Sequence, residues 1–178
     1  MIKEETALEG VYIITPEVFG DNRGWFYESY SKRALLQLGI DASFVQDNRS
    51  YSQKKGTLRG LHCQKEPHSQ AKLVSCTRGK ILDVAVDIRP SSPTYLKFIK
   101  VELSAENKKM LFIPKGFLHG FVTLTEDVEL LYKADDFYFK DTEMTVRFDD
   151  PQIGIDWGEG EFTLSEKDKN ALTLSEQM

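Results

Sequence analysis

The chain has 178 residues, of which 40% are hydrophobic and 29% charged. That is enough for one domain with a substantial core, and ordinary for a soluble globular protein. Its net charge of −5 argues against a nucleic-acid partner, so any anionic ligand must be held by a local cluster of cations.

The opening MIKEETALEG carries acids and no apolar run, so no signal peptide is read there, and no stretch is long enough to enter a membrane. Gly10 to Ile14 reads as a strand closed by Pro16, and Asp21 to Gly24 (DNRG) as a turn. Trp25 to Tyr30 is aromatic and extended. Ser31 is placed to cap a short helix through Leu38, with Ala34, Leu35 and Leu38 on one face and Gly39 as the stop. Phe44 to Ser52 is extended. From Leu58 the pattern is β throughout. Leu82, Val84, Val86 and Ile88 alternate with Asp83, Ala85, Asp87 and Arg89, and Ile99, Val101 and Leu103 alternate with Lys100 and Glu102. Met110 to Ile113, Phe117 to Thr125, Val128 to Lys133 and Thr145 to Phe148 follow as strands, and Ser165 to Leu172 as a terminal helix. Many short strands without long crossover helices predict an all-β sandwich or barrel, with residues 1–178 as a single domain.

The densest chemistry lies between Gly56 and Lys72, GTLRGLHCQKEPHSQAK, which holds Arg59, His62, His68 and Lys72. If Leu58 to Gln64 is extended, strict alternation puts Gly60, His62 and Gln64 on one face and Arg59, Leu61 and Cys63 on the other. A proton-transferring base beside phosphate-binding cations is one reading of the stretch, and a solvated loop is the other. Arg23 and Arg59 are candidate phosphate ligands or ordinary surface arginines. Lys72, between Ala71 and Leu73, is expected to point into a barrel, where it must be paired or used. His62 and His119 first suggest a metal. With three histidines in all, no HxH pair and no carboxylate after His62 at the spacing of a metallo-barrel loop, none is expected, and His119 reads as a packed, hydrogen-bonded residue lining a cavity. Tyr132 shares a face with Val128 and Leu130, as a core tyrosine or as a general acid. Asp168 stands at capping-box spacing from Ser165, or is a carboxylate that orients His62. Two cysteines, Cys63 and Cys76, without CxxC spacing fit reduced thiols in the cytoplasm.

Together the segments DNRGWFYE, FVQDNRSYS, LRGLHCQ, QAKLVSCTRGKILDVAVDIRPSSPTY, LSAENKKMLFIPKGFLHGF, YKADDFYF, DDPQIGIDW and LSEKDKN resemble the dTDP-4-dehydrorhamnose 3,5-epimerase family over nearly the whole chain. The resemblance implies a cupin jelly-roll (double-stranded β-helix) barrel with short peripheral helices, and a cytoplasmic homodimer with shared active sites. It also implies a nucleoside-diphosphate sugar substrate and catalysis without metal or other cofactor. It makes His62 the general base, Asp168 its partner, Lys72 the cation at the enolate and Tyr132 the acid on the opposite ring face. Arg59 would hold the diphosphate, and Arg23, Phe26 and Glu28 would reach the nucleotide from the neighbouring subunit. Gln46 and Asn48 would line the nucleotide site, Tyr138 would lie near the sugar, and His119 matches a cavity histidine. Cys63 stands where an aromatic is common, Phe137 for a tyrosine and Leu118 for an alanine. The last two bear on the shape of the sugar pocket. An epimerase inverting carbon 3 alone, or one for another nucleotide sugar, carries the same groups. A non-catalytic sugar-nucleotide-binding cupin would need no opposed acid and base.

Overall fold

The computed structural model describes residues 1–177. Its strands are β1 (Ile2–Glu5), β2 (Tyr12–Thr15), β3 (Val18–Asp21), β4 (Gly24–Tyr27), β5 (Gln46–Ser52), β6 (Leu58–Gln64), β7 (Lys72–Arg78), β8 (Lys80–Asp87), β9 (Phe98–Ser104), β10 (Met110–Ile113), β11 (Phe117–Thr123), β12 (Val128–Ala134) and β13 (Glu143–Thr145). Two short helices, α1 (Lys32–Gln37) and α2 (Glu166–Lys169), lie outside them. One sheet runs β1-β2-β10-β7-β12-β5, a second β13-β6-β11-β8-β9, and β3 and β4 form a separate hairpin. All strand pairings in the two sheets are antiparallel. This is the expected cupin jelly roll.

Alternation sorts the side chains of these strands into three cores. Val74 and Cys76 of β7, Ile81 and Ala85 of β8, Phe117 and Phe121 of β11, and Leu130 of β12 pack between the sheets. The opposite parity of the second sheet, Leu61, Val84, Val86, Leu118 and Val122, is covered by Ile153, Ile155, Trp157 and Leu174 from the C-terminal segment. The outer side of the first sheet, Ile14, Leu73 and Phe112, is covered by Leu35 of α1 and by Ile40 and Ala42. Ser31 caps α1 as expected, accepting a hydrogen bond from the Ala34 N–H.

Several boundaries differ from the sequence reading, each for a visible reason. The edge strand β1 is mostly polar and draws its order from backbone pairing with β2. The strand β3 is wholly exposed, so no burial pattern marks it. The expected helix from Ser165 to Leu172 stops at Lys169, because Leu172 leaves to make a parallel bridge with Val146. The same bridge takes Val146 out of the expected strand to Phe148, and the strand formed there is β13, Glu143–Thr145.

Candidate active site

One end of the barrel interior opens into a cavity of about 540 Å³. His62, Lys72, Tyr132, Asp168, Arg59, His119 and Tyr138 all line it. Strict alternation had placed Arg59 on the other face from His62, and the structure corrects this. Opposite β11, His62 stands against His119 and Arg59 against Phe121, so β6 spans 59 to 62 while β11 spans 119 to 121. The extra residue is a β-bulge, which re-aims the side chain beyond it. Arg59 therefore joins His62 on the cavity side, while Leu61 enters the outer core and Cys63 packs there and also borders the cavity. The bulge depends on Gly60. Its φ is +131°, and a Cβ there would stand 2.6 Å from the Gly120 Cα.

His62 meets Asp168 at 2.6 Å between Nε2 and Oδ1, across 106 residues of sequence. The two alternatives for Asp168 are both realised. The Ser165 hydroxyl accepts from the Asp168 N–H as the cap of α2, and the same hydroxyl donates to Asp168 Oδ2. Burial pushes the Asp168 carboxyl upward. The His62 hydrogen bond and charge and the Ser165 hydroxyl outweigh this and hold it below its ordinary value. His62 keeps one side open to the cavity, whereas Asp168 is 3% exposed.

Lys72 and Tyr132 come from the opposite sheet, with the Lys72 ammonium 5.9 Å from the Tyr132 ring centroid. Burial pushes the ammonium toward its neutral form, opposed by the negative charges of Asp83 and Glu143. Burial, together with the charge of Glu143, raises the Tyr132 phenol and keeps its proton in place, with Arg59 acting against them. Arg59 is fixed at the rim by hydrogen bonds from Nε to Ser52 Oγ and from Nη2 to the Tyr51 carbonyl. His119 is 7% exposed and hydrogen-bonds Asp83 Oδ1 at 2.7 Å, the packed histidine expected from the sequence.

Gln46 and Asn48 sit on β5 beside the rim, hydrogen-bonded to each other, and Gln46 Oε1 accepts from the Tyr138 N–H. Arg23, Phe26 and Glu28 lie outside the cavity within this chain. Arg23 is ion-paired to Asp21 at the hairpin turn, while Phe26 and Glu28 border a small separate hollow with Met1, Glu17 and Phe19. Trp25 and Phe26 are 63% and 69% exposed, an aromatic hairpin facing outward.

The sequence reading missed Glu143 and Lys167, which also line the cavity. Lys167 donates to Glu143 Oε1, and Tyr138 to Glu143 Oε2. Burial pushes the Glu143 carboxyl up, but the hydrogen bond and charge of Lys167 and the charge of His62 bring it down. An acid at the start of a strand carries no sequence signal for this role. The pairing of β13 with β6, Thr145 against His62, brings it there. Among the described residues, no group of three or more His, Cys, Asp or Glu side chains is arranged to hold a metal, and no helix is long and apolar enough to cross a membrane. Both cysteines are free and buried.

Comparison with known proteins gives a consistent result. A sequence model described as dTDP-4-dehydrorhamnose 3,5-epimerase matches residues 5–176. The dTDP-4-dehydrorhamnose 3,5-epimerase of Salmonella typhimurium is 48% identical, over 100% of this chain and 98% of its own length. The Escherichia coli enzyme of the same name is 47% identical, over 96% of this chain and 93% of its own. Among solved structures, the dTDP-4-dehydrorhamnose 3,5-epimerase of Elizabethkingia anophelis superposes with a TM-score of 0.94 at 49% identity, covering 99% of this chain and 98% of that one. The dTDP-6-deoxy-D-glucose-3,5-epimerase of Legionella pneumophila, solved in complex with dTDP-4-keto-L-rhamnose, gives 0.93 at 47% identity, covering 98% and 93%.

Proposed function

The chain belongs to the dTDP-4-dehydrorhamnose 3,5-epimerase family, and on that premise we propose how its residues carry out the reaction. The enzyme is an isomerase that inverts carbons 3 and 5 of dTDP-4-dehydro-6-deoxyglucose, giving dTDP-4-dehydrorhamnose. The observation that carries the residue roles is the 2.6 Å His62–Asp168 contact in the same cavity as Lys72 and Tyr132.

The ketone at carbon 4 acidifies the protons on carbons 3 and 5. His62 removes one, and Asp168 faces the imidazolium that forms. Lys72 holds the enolate oxygen, and Tyr132 returns a proton from the opposite ring face. The parentage of the side chains supports opposed delivery, since His62 rises from β6 in one sheet and Tyr132 from β12 in the other. Arg59 binds the diphosphate at the rim, with Tyr138 and His119 completing the sugar pocket. No metal or other cofactor takes part. Positioned acid–base groups contribute about 10²–10⁴-fold each, and stabilisation of the oxyanion often contributes more.

The 178 residues act as one cupin-like catalytic unit in the cytoplasm, where its two free thiols remain reduced. The working form is a homodimer with shared active sites. Arg23, Phe26 and Glu28, at the hairpin, line no part of their own cavity, and they reach the neighbour's nucleotide site, where Gln46 and Asn48 also lie. Turnover of dTDP-4-dehydro-6-deoxyglucose in D₂O, read by proton NMR, tests the reaction. Deuterium is expected at both carbon 3 and carbon 5. Label at carbon 3 alone identifies a single inversion, and conversion without label removes the enolate mechanism.

A further inference from the structure

Near the cavity, the space between the two sheets holds a group of polar side chains beside its apolar core. There β7 contributes Lys72, β8 Asp83, β11 His119 and β12 Tyr132. Val74 and Cys76 share the parity of Lys72 on β7, and Ile81 and Ala85 share that of Asp83 on β8; all four belong to the core between the sheets. Lys72 and Asp83 therefore project into one interior from opposite sheets. Asp83 is 0% exposed and Lys72 is 9%. Asp83 Oδ1 is paired with His119 Nε2, but Oδ2 is buried with no hydrogen-bond partner among the described residues. A carboxylate oxygen left in this condition is costly, and so is an ammonium removed from water. Nothing in the reaction as described uses Asp83.

We propose that Asp83 is a positioning residue for the reaction: clamped by His119, it is the buried counter-charge that keeps Lys72 an ammonium ion inside the barrel. The inference rests on the epimerase reading for why a cation is needed, since a neutral amine gives an enolate oxygen far less stabilisation. The other groups facing Lys72 are poorer counter-charges. Burial pushes the Cys63 thiol of β6 up to about 11, so it is neutral at physiological pH. The Tyr132 phenol of β12 is raised and equally neutral. Glu143 of β13 is engaged by Lys167 and Tyr138 at the partly exposed wall. Asp83 alone of the carboxylates that act on Lys72 is wholly inaccessible to water.

The clamp has its own purpose. The Nε2–H of His119 donates to Oδ1 and fixes the carboxylate on its own side of the interior. With Oδ1 engaged by His119 and Oδ2 unpartnered among the described residues, the carboxylate leaves the ammonium donors for the enolate. An ammonium has three donors and no acceptor, so a counter-charge held back from contact leaves them for substrate.

The test follows Lys72 directly, without substrate. Protein labelled with ¹³C at the lysine ε-carbons is titrated by NMR, the Lys72 signal being identified by its loss in Lys72→Arg. In the wild type Lys72 is expected to be charged at neutral pH. In Asp83→Asn, which preserves size and a partner for His119, its titration midpoint falls by about one pH unit or more. The alkaline limb of the deuterium-exchange rate moves to lower pH with it. An unchanged midpoint and limb in a folded Asp83→Asn protein overturns the proposal. Should that variant not fold, the wild-type titration decides, because a neutral Lys72 at neutral pH overturns it equally. A wild type that fails to exchange while Lys72 still answers to Asp83 removes the epimerase reading and leaves the charge pairing standing.

Discussion

Asp168→Asn separates charge from geometry at the base. The amide has the shape of the carboxylate, its oxygen can face His62 Nε2, and its NH₂ group can donate to the Ser165 hydroxyl. The cap of α2 survives, because it runs from the Asp168 backbone N–H to Ser165 Oγ and does not use the substituted atoms. What is lost is the negative charge 2.6 Å from His62 Nε2. A hydrogen bond to a charged group is worth about 1.5–3 kcal/mol, against about 1 kcal/mol for a neutral one. If the whole charged bond is felt as the cation forms on His62, the rate falls by about 10- to 150-fold. His62→Ala removes the proton acceptor itself and forfeits about 10²–10⁴-fold. Deuterium uptake at carbons 3 and 5, measured on both variants with far-UV circular dichroism as the folding control, checks the order. A folded Asp168→Asn enzyme with the full wild-type rate, or one as slow as His62→Ala, refutes the assignment of orienting charge to Asp168 and base to His62.

Arg59→Ala is expected to raise KM at least tenfold with little change in kcat, because a diphosphate contact acts in the ground and transition states alike; steady-state kinetics read the split. Gly60→Ala should destabilise the fold by about 1–3 kcal/mol and weaken substrate binding, since its Cβ would meet the Gly120 backbone at 2.6 Å; thermal melts and KM measure the two effects. Asp87, at the end of β8, accepts hydrogen bonds from Arg89, Ser92 and Thr94. Burial alone would raise its carboxyl, but these partners hold it far below the ordinary carboxylate range. A carboxyl depressed on folding contributes stability above its unfolded value of about 3.9, and the contribution is lost as pH falls below that. Asp87→Ala should therefore cost about 3 kcal/mol at neutral pH, and the gap to the wild type should close below about pH 4 in urea melts.

Much of this arrangement was legible in the sequence because it follows from short-range pattern. The alternation through Ile81 to Arg89 gave β8 and its two faces, and Pro114 marked the end of β10 at Ile113. Lys72 between two apolar neighbours pointed inward, and Ser165 signalled the cap beneath Asp168. What escaped depends on pairing between distant strands. The bulge that turns Arg59 into the cavity exists only as a register shift against β11, and no local feature beyond Gly60 announces it. Asp83 looked like any polar residue on the outer side of an alternating strand. It is instead an inward carboxylate, because Ile81 and Ala85 face the space between the sheets while Leu82, Val84 and Val86 face the C-terminal segment. Both faces of β8 are covered, so alternation could not say which was inside.

Asp168 follows every strand of both sheets in the sequence, and its segment is fastened by the parallel bridges Thr57 to Thr163 and Val146 to Leu172. A chain synthesised from its N-terminus thus carries every strand, with His62, Lys72 and Tyr132, before it carries the carboxylate that faces His62. The growing polypeptide passes through no stage in which a half-built enzyme carries the complete pair. Competence arrives last, with the same segment that lays Leu174 onto the outer core of the second sheet.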